Sequence, residues 1–173
     1  MKKPETISEF TDFLEKKWNF ICMGCGIAQK VVNPPFGLIY ESKNFVIHQD
    51  PLIPLSGFII IASKNHISSI TEMDEIVYEE LSSLIYQTRK SLQTLGGILN
   101  ITIIQEERSP HFHLWMFPWY KEMIGNKQNS IQNIRSIMKN LQKTRLQEFQ
   151  ISKIQNDIRI LQNYFKSYYK REN

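Results

Sequence analysis

Apolar residues recur along the chain in two periods, and the change from one to the other lays out the expected elements. Phe10, Phe13 and Leu14 fall at helical spacing behind Thr6-Ile7-Ser8-Glu9, a capping-box pattern, so a short helix ending near Trp18 is expected. Asn33-Pro34-Pro35 breaks structure, and Gly37 to Glu41 and Phe45 to Gln49 then read as two strands of a hairpin turning at Ser42-Lys43-Asn44. Pro51 and Pro54 mark a loop. The run GFIIIAS, residues 57–63, is apolar without alternation and rich in β-branched residues, the pattern of a strand buried on both faces. Its end delivers Lys64, Asn65 and His66.

Thr71 can cap the next helix, whose inward positions Val77, Leu81, Leu84, Ile85, Thr88 and Leu92 hold helical spacing until Gly96-Gly97 stops it. Ile98 to Gln105 reads as a strand, Glu106 to Ser109 as a turn, and Pro110 to Phe117 as a further strand ended by Pro118. This order predicts an α+β domain with a mainly antiparallel sheet of about five strands and a covering helix. Beyond Gly125 the strand signals cease. Ile131, Ile134, Met138 and Leu141 form one helical stripe. Thr144-Arg145-Leu146-Gln147 resembles a second capping box, followed by Ile151, Ile154, Ile158, Leu161, Phe165 and Tyr168 on one side. The expected organisation is a domain over residues 1–124 and a two-helix extension over residues 125–173, docked on that domain or on a second subunit.

Composition narrows the class. A chain of 173 residues that is 42% hydrophobic is enough for one ordinary packed core. MKKPETISEF lacks the apolar run of a signal peptide, and Gly57 to Ala62 is too short to cross a bilayer, so a cytoplasmic protein without a membrane partner is expected. The formal charge of +4 mildly favours anionic partners. Much of the basic excess lies in the C-terminal segment, where it can simply solvate helices, so nucleic acid is not the expected partner.

The chemistry is concentrated in few residues. The two cysteines, Cys22 and Cys25, form a C-x-x-C that reads equally as a redox pair or as half of a metal site. In SPHFHLWMFPW, strand geometry turns His111, His113, Trp115 and Phe117 to one face and Phe112, Leu114 and Met116 to the core, which sets the two imidazoles about 7 Å apart.

The pattern His-φ-His-φ-x-φ-φ-Pro after a strand and a turn resembles the histidine triad (HIT) superfamily of nucleotide hydrolases and transferases, and the resemblance spans Cys22 to Pro118. HQDPLIPLSGFIIIASKNHISSI is similar to the family's loop, buried strand and lysine/histidine end. Two features depart from the family pattern. Trp115 stands where the third histidine, or a glutamine in the transferase branch, is found, and EERSP replaces a longer Gly-rich turn.

The resemblance implies a HIT-like fold and a structural zinc held by Cys22, Cys25, His66 and His111, a closed tetrahedral shell of two thiolates and two imidazoles. It implies His113 as the nucleophile that attacks the α-phosphorus of a purine nucleotide derivative, of the dinucleoside polyphosphate or nucleoside phosphoramidate type, and forms a nucleotidyl-histidine. Asp50 is implied to accept the ribose hydroxyls, and Gln105 to be directed at phosphate. Ser109 can give a hydroxyl to phosphate, and Arg108 reads equally as a solvated turn charge. The Trp115 indole offers one N–H but no titratable proton. His48, read as an exposed strand histidine, can stack on the base. Lys64 reads as surface. The alternatives to a hydrolase are a nucleotidyl transferase or phosphorylase, a nucleotide-binding module without turnover, and a zinc-stapled nucleic-acid adaptor. A homodimer is expected from the resemblance and from the apolar stripes of the terminal helices.

Overall fold

The computed structural model describes residues 7–124 and 131–170. β3 (Tyr40–Glu41), β4 (Phe45–Gln49), β5 (Ile59–Ser63), β6 (Ile98–Gln105) and β7 (His113–Tyr120) form one antiparallel sheet in the order β3-β4-β5-β7-β6. This is the α+β architecture expected from the order of elements. Successive side chains of a strand leave opposite faces. Phe45, Ile47, Ile59, Ile61, Leu114 and Met116 therefore build one core, and Val46, Ile60, Ala62, Phe117 and Trp119 a second on the reverse side. β4 and β5 are buried along their whole length, which is why the sequence between Phe58 and Ala62 never alternates.

Helices close both faces. α2 (Glu75–Leu92) brings Leu81, Leu84 and Leu92 to the first core, and α5 (Glu148–Tyr169) adds Ile154, Ile158, Leu161 and Phe165 to it. α4 (Ile131–Lys143) lies on the other face, with Ile134 buried in the second core. Apart from Ile131, which stays exposed, the terminal stripes thus pack on the chain's own domain and do not themselves call for a second subunit. The expected boundary at Gly125 adjoins residues outside the described ones.

Polar contacts fix the docking of α5. Asp157 accepts a hydrogen bond from the Ser56 hydroxyl and pairs with Lys153 at 2.5 Å, while Gln162 donates to the Leu38 carbonyl at 2.9 Å. Burial of an aliphatic side chain contributes roughly 1.5–3 kcal/mol, against about 0–1 kcal/mol for a part-exposed ion pair. Packing, not charge, holds α5.

Four local expectations are corrected. Residues 8–20 form a hairpin, β1 (Ser8–Thr11) paired antiparallel with β2 (Lys17–Phe20), in place of a helix; Thr6 lies outside the described residues. Asp12 is the reason. One carboxylate oxygen accepts the Leu14 and Lys16 amides and the other the Trp18 indole N–H, so local side-chain bonds outcompete a helical turn. Next, α2 is capped by Asp74, not by Thr71, which lies within a single 3-10 turn, Ile70–Glu72, capped by Ser69. β7 begins at His113 and runs through Pro118 to Tyr120. β5 pairs only as far as Met116, and a strand tolerates proline where one side has no ladder partner. Lastly, the box that starts α5 is Gln147 with Gln150, and the Thr144 hydroxyl bonds back to the Asn140 carbonyl at the end of α4.

Two short helices complete the chain, α1 (Met23–Ala28) after β2 and α3 (Lys121–Ile124) after β7. Among the described residues no helix is long and apolar enough to cross a membrane.

Candidate active site and metal centre

Cys22 precedes α1 and Cys25 lies in its first turn. His66 follows β5, and His111 precedes β7. These four residues, drawn from three separate segments of the chain, place one donor atom each within 4.8 Å of one another. Nδ1 of His111 is 3.3 Å from Cys22 Sγ, and Nδ1 of His66 is 3.2 Å from Cys25 Sγ. Nε2 of His111 donates to the Ser63 carbonyl at 2.7 Å, which fixes the tautomer and leaves Nδ1 with its lone pair toward the sulfurs. Two thiols and two imidazoles at these separations fit a tetrahedral ion, whose S and N ligands stand about 3.5 Å apart. Burial, reinforced by the hydrogen bond and charge of Cys22, pushes the Cys25 thiol up to about 11. Gly24 makes the approach possible, since a Cβ there would come 2.3 Å from the His111 ring. Its visible signal is a glycine inside the C-x-x-C.

Beside this cluster lies a cavity of about 330 Å³, walled by Phe20, Met23, Leu52 and Ile60 and reached by His48, Asp50, Ser109, His113 and Trp115. Cross-strand register explains the grouping. Ile60 faces both His48 and Trp115, and Ala62 faces His113, so the two histidines and the tryptophan share one face around small and aliphatic neighbours. His113 donates from Nδ1 to the His111 carbonyl at 3.0 Å, because a carbonyl can only accept. Nε2 is left with its lone pair. His113 and Trp115 rings are 5.7 Å apart. The Trp115 indole N–H has no hydrogen-bond partner among the described residues, and its ring packs edge-on against Phe58.

His48 is not the exposed strand histidine expected from sequence. β4 is an interior strand, so His48 is 3% exposed and donates from Nδ1 to the Gln49 carbonyl at 2.8 Å. Burial pushes it down to about 4, against the Gln49 bond and with some help from His113. Asp50 is also buried. One oxygen accepts the Leu52 and Ile53 amides at 2.8 Å, while the other has no hydrogen bond among the described residues. Burial pushes this carboxyl up to about 6, opposed by the two amides. Ser109 donates to the His111 carbonyl at 2.9 Å and lines the cavity.

Gln105 is not brought to the site. It pairs with Leu114, which belongs to the α2 face, so its side chain leaves the sheet on the side away from His113. Its Nε2 is buried and unpaired. Ile104, opposite Trp115, holds the cavity side of β6. Lys64 is more than surface, pairing with Glu41 at 2.8 Å and with the Ser42 carbonyl at 2.6 Å.

No family model and no curated protein sequence matches the chain. Solved structures match its fold. A Zn-bound histidine triad family protein from Mycobacterium smegmatis aligns with a TM-score of 0.57 at 16% identity, over 87% of this chain and 96% of its own. A hypothetical histidine triad nucleotide-binding protein from Sulfolobus tokodaii aligns at 0.55 and 15% identity, over 84% and 94%. A HIT family protein from Bacillus anthracis aligns at 0.52 and 19% identity, over 69% and 90%. The sheet order, the histidine pair at the start of β7 and these alignments agree that the chain carries the histidine triad fold.

Proposed function

We propose that this chain is a nucleotide hydrolase acting at the α-phosphorus of a purine nucleotide derivative, with His113 as the nucleophile. The observation that carries the reading is the His113 tautomer: Nδ1–H is committed to the His111 carbonyl, and Nε2 keeps its lone pair at the cavity that Asp50 also lines. Support also comes from the fold shared with the hypothetical histidine triad nucleotide-binding protein of S. tokodaii.

In this reaction the Nε2 lone pair forms an N–P bond while the bond from phosphorus to the leaving oxygen or nitrogen breaks, its electron pair going to that atom. The imidazole is then cationic, and its Nδ1 proton is held by the His111 carbonyl. Water next attacks phosphorus, the N–P pair returns to Nε2, and a proton and the nucleoside monophosphate are released. The unpaired Asp50 oxygen accepts from the ribose diol. The aliphatic and aromatic wall takes the base, Nε2 of His48 offers it an acceptor, and the Trp115 N–H offers a donor to a phosphate oxygen, while Ser109, its proton held by the His111 carbonyl, positions the start of β7.

The ion we assign to Cys22, Cys25, His66 and His111 is zinc, with a structural role: it ties the β2–α1 junction to the ends of β5 and β7 and leaves no ligand position for substrate. Thiolate ligands suit a reducing compartment such as the cytoplasm. A second copy is assigned to β6, an eight-residue edge strand with Leu99 and Ile103 exposed, which predicts a solution mass of twice 20.5 kDa by light scattering.

The test is trapping. Incubation with α-labelled adenosine 5′-phosphorimidazolide yields an acid-labile label on the unaltered protein and none on His113→Ala. Binding of AMP without any label assigns a module that does not turn over, and a label on His113→Ala removes the nucleophile assignment.

A further inference from the structure

A second groove, of about 380 Å³, meets the His113 cavity at Asp50, Leu52 and Trp115. Its far wall comes from α4, in the part of the chain beyond the histidine motif, and carries Arg135 and Lys139. Across from them Arg108 follows β6. Glu106 holds both guanidiniums, at 2.8 Å from Arg108 and 2.6 Å from Arg135. Lys139 makes no hydrogen bond or ion pair among the described residues. Three cations thus face two carboxylates, Glu106 and Asp50, beside the indole of Trp115.

We infer that this groove is the leaving-group subsite, selective for a polyphosphate chain attached to the nucleotide, with Arg135 and Arg108 as its recognising residues. The inference rests on the nucleotide reading of the His113 cavity. Two independent features support it. First, each guanidinium is already oriented toward the groove by one Nη2 contact to a Glu106 oxygen, and the same donors can turn to phosphate oxygens, so Glu106 acts as a placeholder that a polyphosphate displaces. Second, Trp115 has no proton to give a departing group. A phosphoanhydride needs none, because the bond pair leaves on a polyphosphate oxygen that is stable as an anion, whereas an amine must be protonated as it departs. The absent acid and the adjacent cations select the same leaving group. Arg135 is also the means by which α4 takes part in specificity.

Inorganic tripolyphosphate is the direct probe. Titration calorimetry at low salt shows it binding the unaltered protein. Arg135→Gln weakens that binding by about two- to fivefold, the scale of one charge contact at an exposed site. Glu106→Gln strengthens it by freeing both guanidiniums, an effect that simple loss of structure cannot imitate. In kinetics, Arg135→Gln lowers the preference for adenosine 5′-tetraphosphate over the phosphorimidazolide by a similar factor, through KM. Tripolyphosphate affinity indifferent to both substitutions, or an unchanged preference between the donors, overturns the subsite. AMP failing to bind the unaltered protein overturns the nucleotide reading instead, while the calorimetric response of Arg135→Gln still decides whether the groove takes polyphosphate.

Discussion

The carbonyl of His111 and Nδ1 of His113 stand 3.0 Å apart, so the residue that offers its ring to the Cys2His2 cluster also sets the tautomer of the cavity histidine with its main chain. Cys22 and His111 of the Cys2His2 cluster also line the cavity, so a disturbance of the cluster is expected to be felt there.

Loss of a donor is therefore predicted to cost more than metal. Cys25→Ser is expected to lower bound zinc from one per chain to substoichiometric values, to lower the thermal midpoint, and to reduce His113 labelling. Gly24→Ala acts more gently, forcing a methyl toward the His111 ring and weakening metal affinity about 10- to 100-fold, the scale of a disturbed ligand orientation. Metal analysis with a competing chelator and a melting curve measure both. Unchanged zinc in Cys25→Ser removes that residue from the donor set.

Trp115 predicts a leaving-group pattern. The unaltered protein is expected to cleave activated or anionic leaving groups and to be poor with amines. Trp115→His restores a titratable donor beside His113, and acid help of this kind is worth about 10²- to 10⁴-fold. Its gain should appear with an adenosine phosphoramidate of an alkyl amine and be small with a fluoridate. An equal gain with both shows that the substitution acts on binding and not on proton transfer.

Asp50 and His48 titrate in opposite senses. The folded value of Asp50, about 6, lies above that of a free carboxyl, so its contribution to stability is fully present below about pH 4 and is lost as pH rises through 6. His48 is depressed to about 4, so its contribution is fully present above about pH 6.5 and is lost as pH falls toward 4. Between these limits the two slopes oppose. Asp50→Asn removes one of them, and its stability relative to the unaltered protein is expected to fall between pH 6.5 and 4 in urea titrations. Ribonucleotide affinity of the unaltered protein should weaken below pH 6, where Asp50 takes up its proton and loses acceptor strength. A pH-independent difference between the two proteins contradicts the raised Asp50 value.

Ile158 tests the share of stability owed to α5. It is 1% exposed and packs in the core with Leu81 and Ile61. Ile158→Ala is predicted to cost about 2–5 kcal/mol by chemical denaturation, whereas Lys153→Ala, which removes a part-exposed partner of Asp157, should cost about 1 kcal/mol or less.

Sequence pattern served best where one physical effect dominates. The buried run at Ile59 and the strand limits at Phe45, Gln49, Ile98 and Gln105 follow from β-branched residues with nothing competing, and period-two alternation correctly put His111, His113 and Trp115 on one side. It failed where a side chain redirects the main chain, as Asp12 does in folding residues 8–20 into a hairpin. It failed again where cross-strand register decides. Nothing in β6 alone says that Ile104 and not Gln105 stands opposite Trp115. His48 was misread because exposure depends on β4 having neighbours on both edges, a property of topology.

The contacts of α5 have a bearing on how the chain is made. Asp157 meets Ser56 across 101 residues and Gln162 meets Leu38 across 124, so the sheet emerges from synthesis long before the helix that covers it. A core closed by such distant contacts forms slowly, because the loop entropy is lost before the burial is gained. Until α5 follows, the nascent sheet keeps one apolar face open. Loss of the α5 core residues Ile158, Leu161 and Phe165 would leave that face open and the chain prone to aggregate.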